Sequence, residues 1–121
     1  MPITPCNCAG FRLLLGLTLV IVTWVSLTPK GAPLPAVPLA DKWAHLLTYT
    51  LLAFLVDASW PETGFDWRKW AALIGYGLAI ELIQGQIPNR MFSLGDLLAN
   101  AAGIAVFALL VLPRHRKLRL R

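Results

Sequence analysis

Apolar positions along the chain fall into four long runs, at residues 11–28, 41–60, 68–87 and 93–112, parted by short proline-rich or polar stretches. Each run is long and rich in Leu and Ala and lacks strict alternation, which is the signature of helix rather than strand. A helix needs about 20 apolar residues to cross a hydrocarbon core about 30 Å thick, and each run comes close to that length. The first carries no charge from residue 13 to 29, while the others carry one to four Asp, Glu, Lys, Arg or His residues each. The breaks agree with this division. Residues 28–38 hold four of the nine prolines and cannot be helical throughout. Residues 60–66 make a polar turn, and Pro88 and Pro113 close the last two runs. The pattern predicts a bundle of four transmembrane helices in a single domain, with a basic tail at residues 113–121 and no internal repeat.

Composition points the same way. Of 121 residues, 57% are hydrophobic and 14% charged, against about 45–50% and about 25% in soluble domains. Two cysteines are too few for a disulfide scaffold. Cys6 and Cys8 precede the first span on the side expected to be cytoplasmic, where thiols stay reduced, and are read as unmodified thiols, with palmitoylation of a juxtamembrane cysteine the open alternative. The net charge of +5 does not indicate nucleic-acid binding in so apolar a chain. The basic tail after the last span instead suits anionic lipid headgroups. No A-x-A cleavage site follows the first run, so it is expected to be a retained span and not a signal peptide. The expected class is an all-α integral membrane protein.

The basic residues orient it. With the N-terminus inside, Arg12, Arg68, Lys69, Arg114, Arg116, Lys117, Arg119 and Arg121 are cytoplasmic and only Lys30, Lys42 and Arg90 are outside. This bias predicts N-in, C-in. Trp24 and Trp43 then mark the outer interface, and Trp60, Trp67 and Trp70 the inner one.

Candidate chemistry comes from ionisable residues inside spans, which cost several kcal/mol and are functional by default. Asp41 and His45 lie four apart at the start of the second span and share a helix face, Thr48 lying one turn deeper. Glu81 and Gln84 lie near the outer end of the third, and Asp96 and Asn100 open the fourth. At 1.5 Å per residue, Glu81 is about 9 Å below residue 87, and His45 and Asn100 are about 6 Å below Asp41 and Asp96. Three helices thus aim polar groups at one layer of the outer leaflet, with Arg90 on the loop above. Small residues at Gly77, Gly85, Ala99 and Gly103 predict that these faces pack inward. Some of these residues have structural readings: Asp41 as a helix cap, Ser93 with Asp96 as a capping box, Gln84 and Asn100 as interhelical glue. No cap requires Glu81 two turns inside a span. Asp57, Glu62 and Asp66 are expected to be solvated on the cytoplasmic side, with no inner polar set opposite the outer one.

The ordered set Asp41-Lys42-x-x-His45-x-x-x-Tyr49, then Glu81-x-x-Gln84-x-x-x-Pro88-x-Arg90-x-x-Ser93-x-x-Asp96-x-x-x-Asn100-x-x-Gly103, resembles the VanZ-like family over about residues 40–104. Asn89 departs from the glycine expected before the arginine, and the chain lacks the extra helices of longer members. The resemblance implies a small multi-pass protein of the bacterial cytoplasmic membrane with a cell-envelope role, the founding member being linked to teicoplanin resistance.

The residues support three functions. In the first, the outer-leaflet site binds an envelope lipid, a peptidoglycan-related group or a glycopeptide, and Glu81 and His45 act as an acid/base pair on it. Arg90 would hold a phosphate or carboxylate in fork geometry, with Asp41, Gln84, Asp96 and Asn100 as further ligand-binding groups. Whether chemistry follows binding is left open. In the second, the same site captures its ligand without chemistry, as a resistance or accessory factor. The third, a small proton-coupled transporter, is disfavoured by the missing inner polar set. No cofactor is expected, and a single histidine makes a zinc site a weak reading, with oxygen-bound divalent cations less so. The partners expected are membrane lipid and a lipid-linked or glycopeptide ligand, not nucleic acid.

Overall fold

A computed structural model describes residues 5–28, 40–60, 65–87 and 94–113. Every regular element among them is helical: α1 (Pro5–Leu27), α2 (Ala40–Ser59), α3 (Trp67–Gln84) and α4 (Leu94–Val106), the last widening into a π-helical turn at Phe107–Val111. Among the described residues, two stretches are long and apolar enough to cross a membrane, Ala9–Leu27 and Leu94–Val111, with mean hydropathies of 1.9 and 2.0. Helices α2 and α3 have 20 and 18 residues, but each carries three charged side chains that lower its apolarity. These are Asp41, Lys42 and Asp57 on α2, and Arg68, Lys69 and Glu81 on α3.

The boundaries follow local chemistry. Asp66 caps α3, its carboxylate accepting the Arg68 backbone N–H at 3.1 Å and so satisfying a donor the helix leaves orphaned. The third run was expected to reach residue 87, but α3 ends at Gln84. Its chain tightens there, Gln86 and Ile87 donating to Ile83 and Gln84 over three residues, just ahead of Pro88. Gly85 is exposed and follows the last helical residue. It is therefore not part of a packing stripe with Gly77 and Glu81.

Successive helices run antiparallel, as two sets of contacts establish. At one end the C-terminus of α1 meets that of α3, where Gln84 Nε2 donates to the Ser26 carbonyl at 2.7 Å. The N-termini of α2 and α4 meet at the same end, through Lys42 and Asp96. At the other end Arg12 of α1 reaches the last turn of α2, its Nε donating to the Ser59 carbonyl at 2.9 Å. These are called below the Glu81 end and the Asp57 end.

Between them lies the core of Leu15, Tyr49, Leu52, Ala53, Leu55, Leu73, Ile104 and Phe107. Phe107 is edge-on to both Phe54 (6.3 Å) and Phe65 (5.1 Å), and Phe54 is edge-on to Phe11 (5.8 Å). Edge-to-face contacts at these separations suit the aromatic quadrupole. Helices α2 and α4 approach most closely, and Gly103 is what permits it. A Cβ there would run into the Leu46 carbonyl oxygen and lie 3.1 Å from the Thr50 nitrogen. The Thr50 hydroxyl seals the contact, lying 2.8 Å from the Leu46 carbonyl and 3.0 Å from that of Gly103. Among its described side chains, helix α1 buries only Leu15 and leaves Leu13, Leu14, Leu17, Val20 and Ile21 exposed. Exposed tryptophans mark both ends, Trp24 and Trp43 near the Glu81 end and Trp60, Trp67 and Trp70 near the other.

The Asp57 end corrects the sequence reading. Asp57 is 0% exposed, and its Oδ1 lies 2.9 Å from Lys69 Nζ, itself buried. Lys69 also donates to the Trp60 carbonyl at 2.9 Å, and the Arg12 guanidinium sits over the Trp60 ring, 5.1 Å from its centroid. Asp57 and Lys69 pair because they lie at the facing ends of α2 and α3, where neither can reach bulk water. A second polar set therefore exists, at the Asp57 end. Asp66 is half-buried, occupied as a cap, and Glu62 lies outside the described residues.

Candidate functional site

Each helix delivers its polar residues by its own repeat. On α3, Lys69, Leu73, Gly77, Ile80, Glu81 and Gln84 are the buried residues, three or four apart except for the adjacent Ile80 and Glu81, so that one stripe faces inward. The same spacing buries Asn100, Gly103 and Phe107 on α4, with Asp96 one turn before Asn100. On α2, His45 precedes the buried Tyr49 by one turn.

These stripes meet at the Glu81 end. One side-chain ligand atom from each of His45, Glu81 and Asp96 lies within 4.8 Å of the other two. Asp96 bridges α4 to α2: its Oδ1 is 2.6 Å from Lys42 Nζ and its Oδ2 3.4 Å from His45 Nε2. The other ring nitrogen of His45, Nδ1, lies 2.9 Å from Asn100 Oδ1, so His45 is held on both sides by α4. A Cβ on Gly77 would come within 2.7 Å of Asn100 Nδ2 and 3.1 Å of the Tyr49 hydroxyl. The missing side chain at Gly77 is what lets Asn100 sit between α2 and α3.

The cluster is graded in depth. Glu81 is 0% exposed, and Asn100 and Gln84 are buried beside it. Asp96, His45 and Lys42 are only part-buried. The arrangement runs from part-buried groups at the helix ends to a fully buried carboxylate. It combines a proton-carrying imidazole, two carboxylates and an ammonium group, enough to hold an ion or to orient a polar ligand.

The structure thus brings together His45, Glu81, Asp96 and Asn100. Gln84 is buried at the same end but is turned toward α1, where its amide serves the orphan Ser26 carbonyl as interhelical glue. Asp41 belongs to α2, with its side chain outside the described residues, as are Arg90 and Ser93 altogether. Asp96 lies in the first turn of α4, yet its carboxylate is turned to Lys42 and His45. Thr48 is only part-buried, and Tyr49 takes the deeper position on that face. Lys42 was absent from the expected site. Its signal was its place in the Asp41-Lys42-x-x-His45 run, three residues before the histidine. Tyr76 extends the polar contacts toward α1, its hydroxyl lying 2.6 Å from Thr23 Oγ1. The apolar layer of Leu52, Ala53, Leu55, Leu73 and Phe107 separates this end from the Asp57–Lys69 pair.

No family model, curated protein or solved structure matches the chain.

Proposed function

We propose that the chain is a four-span protein of a bacterial cytoplasmic membrane, N-in and C-in, whose Glu81-end cluster binds the anionic polar part of a cell-envelope ligand in the outer leaflet. The ligand class is a phosphate- or carboxylate-bearing lipid, a lipid-linked peptidoglycan precursor or a lipoglycopeptide. The observation that carries this reading is the convergence of His45, Glu81 and Asp96 from three helices to within 4.8 Å.

Energetics supports it. Placing one ionised side chain in a span costs about 3 kcal/mol, whereas an interhelical hydrogen bond returns about 0.6 kcal/mol. A buried Glu81 beside Asp96 and His45 is therefore a poor way to hold helices together, and a site accounts for it better. Exposed tryptophans at both ends and leucines between them fit a lipid surround, and the excess of basic residues at the Asp57 end and the tail fits its orientation. The resemblance to the VanZ-like family in residues 40–104 supports the envelope setting by its pattern of residues. Lys42 and Arg90 supply positive charge for the ligand. Glu81 and His45 are the acid/base pair if bound ligand is processed, and the site is a capture device if it is not. Transport is the weaker alternative. The Asp57–Lys69 pair supplies an inner polar set, but the apolar layer between the two ends offers no polar path.

The test uses the full chain in phosphatidylcholine nanodiscs, with a polyprenyl phosphate, a polyprenyl-diphosphate-linked precursor and teicoplanin as probes. Saturable binding of one probe, weakened at least tenfold by Glu81→Gln and by Arg90→Ala, is expected. Release of inorganic phosphate that disappears in Glu81→Gln would add catalysis. Binding of none of the three, or binding indifferent to both substitutions, overturns the reading, and proton-driven flux of a probe across vesicles transfers the site to transport.

A further inference from the structure

The bond between His45 and Asn100 fixes more than a ring position. An amide oxygen can only accept, so His45 Nδ1 must carry the proton it donates to Asn100 Oδ1 at 2.9 Å. That leaves Nε2 facing Asp96 Oδ2 at 3.4 Å, with a Glu81 carboxylate oxygen inside the same 4.8 Å group. In the neutral imidazole, Nε2 is a lone pair. Three lone-pair donors then face one another from three helices, with the Lys42 ammonium already on the far oxygen of Asp96 at 2.6 Å. The 3.4 Å between His45 Nε2 and Asp96 Oδ2 is long for a charge-assisted N–H···O bond, which runs at about 2.7–2.9 Å.

We infer that His45 Nε2, Glu81 and Asp96 Oδ2 form a binding site for one divalent first-row metal cation. Two bonds of about 2.1 Å at tetrahedral or octahedral angles set neighbouring ligand atoms about 3.0–3.4 Å apart. The His45–Asp96 separation already has that value, and the third ligand atom needs only a side-chain adjustment on α3. The donor set, one imidazole and two carboxylates, suits Mn²⁺ or Zn²⁺ better than the all-oxygen shells of Mg²⁺ and Ca²⁺. Asn100 completes the pattern, since a metal-bound histidine donates its other N–H to a fixed acceptor that sets the tautomer. Lys42 has a matching part. Its ammonium takes Asp96 Oδ1 at 2.6 Å and competes with a cation for the carboxylate's charge. It is part-exposed near the start of α2 and can withdraw along its flexible stem. Three protein ligands leave coordination positions for water or for a ligand oxygen. The inference rests on reading this cluster as a binding site, and it names the ion through which an anionic group would be held there.

The experiment titrates Mn²⁺ into the full chain in nanodiscs, with no organic ligand present, and follows it by electron paramagnetic resonance. Manganese is chosen because Cys6 and Cys8 compete poorly for it. One Mn²⁺ per chain is expected, with ¹⁴N modulation from a coordinated imidazole. That modulation is lost in His45→Ala, and affinity falls at least tenfold in Glu81→Gln and about 10–100-fold in Asn100→Ala. Lys42→Met should bind Mn²⁺ several-fold more tightly, a gain that a misfolded variant cannot produce. Absence of saturable Mn²⁺ and Zn²⁺ binding below 1 mM, a signal without ¹⁴N coupling, or affinity unchanged in Glu81→Gln each overturns the site. Because no organic probe is present, the outcome is separate from that of the ligand-binding test. Mn²⁺ binding without probe binding retains the metal site and removes the envelope ligand, and the reverse result does the opposite.

Discussion

Two buried carboxylates of this chain have opposite meanings, and their surroundings decide which. Asp57 is paired with the buried ammonium of Lys69 at 2.9 Å. Glu81 lies in a group with a second carboxylate and an imidazole. The first is a structural pair. Removing one partner of such a pair leaves a buried charge and costs about 3–5 kcal/mol, whereas replacing both by apolar residues of similar volume is close to neutral or better. Asp57→Leu and Lys69→Met are each expected to lower the unfolding temperature in detergent sharply, and the double variant to recover most of the loss. Single variants as stable as the parent would show that the pair does not hold the helix ends. That Glu81, Asp96, His45 and Asn100 share one cluster was legible because ionisable or amide groups inside apolar runs are conspicuous. Asp57 was misread because its position near the end of a run is compatible with water, and the lysine that buries it lies twelve residues on, across a turn.

At the scale of elements, the apolar runs located all four helices to within a few residues, except that α1 begins at Pro5, six residues ahead of its apolar run. What they missed are features of tertiary packing. The π-helical turn at Phe107–Val111 has no composition of its own. Gly103 was expected on an inward face and is there, but its severity, a Cβ driven into the backbone of α2, belongs to the approach of α2 and α4. Overpacking of this kind costs about 1–3 kcal/mol when the neighbour is able to shift, and backbone shifts less readily than a side chain. Gly103→Val should therefore lower the unfolding temperature, while Gly16→Val on α1, where nothing lies within 4 Å of an added Cβ, should not. Equal stability of the two would mean that α2 and α4 are not in contact at Gly103.

For the whole molecule, the outstanding property is its surface. Apolar side chains are exposed along every helix, Trp24 is 73% exposed at one end and Trp67 64% at the other, and polar groups collect at the two ends. Contiguous apolar surface on this scale calls for an apolar surround. The orientation is open to test by single cysteines at Trp43→Cys and Trp67→Cys in a Cys6→Ser/Cys8→Ser background. A membrane-impermeant maleimide added to intact spheroplasts should label position 43 and leave position 67 until the membrane is opened. The reverse pattern would invert the chain and move the Glu81 end to the cytoplasm, and with it the proposed ligand.

The sequence by itself determined the helices, the apolar character of the chain and part of the polar set gathered at one end, namely His45, Glu81, Asp96 and Asn100. These are local properties: run length, proline positions and a repeat of three or four residues are written along the chain. Tertiary structure alone decided which polar residues meet. It pairs Asp57 with Lys69, turns Gln84 away to α1, and sets Asn100 behind His45 so that one ring nitrogen faces two carboxylates. The physical reason is that a helix repeat fixes the face a residue occupies, while rotation and approach of whole helices fix its partner. That approach depends on the absent side chains of Gly77 and Gly103, whose effect is seen only against the neighbouring helix.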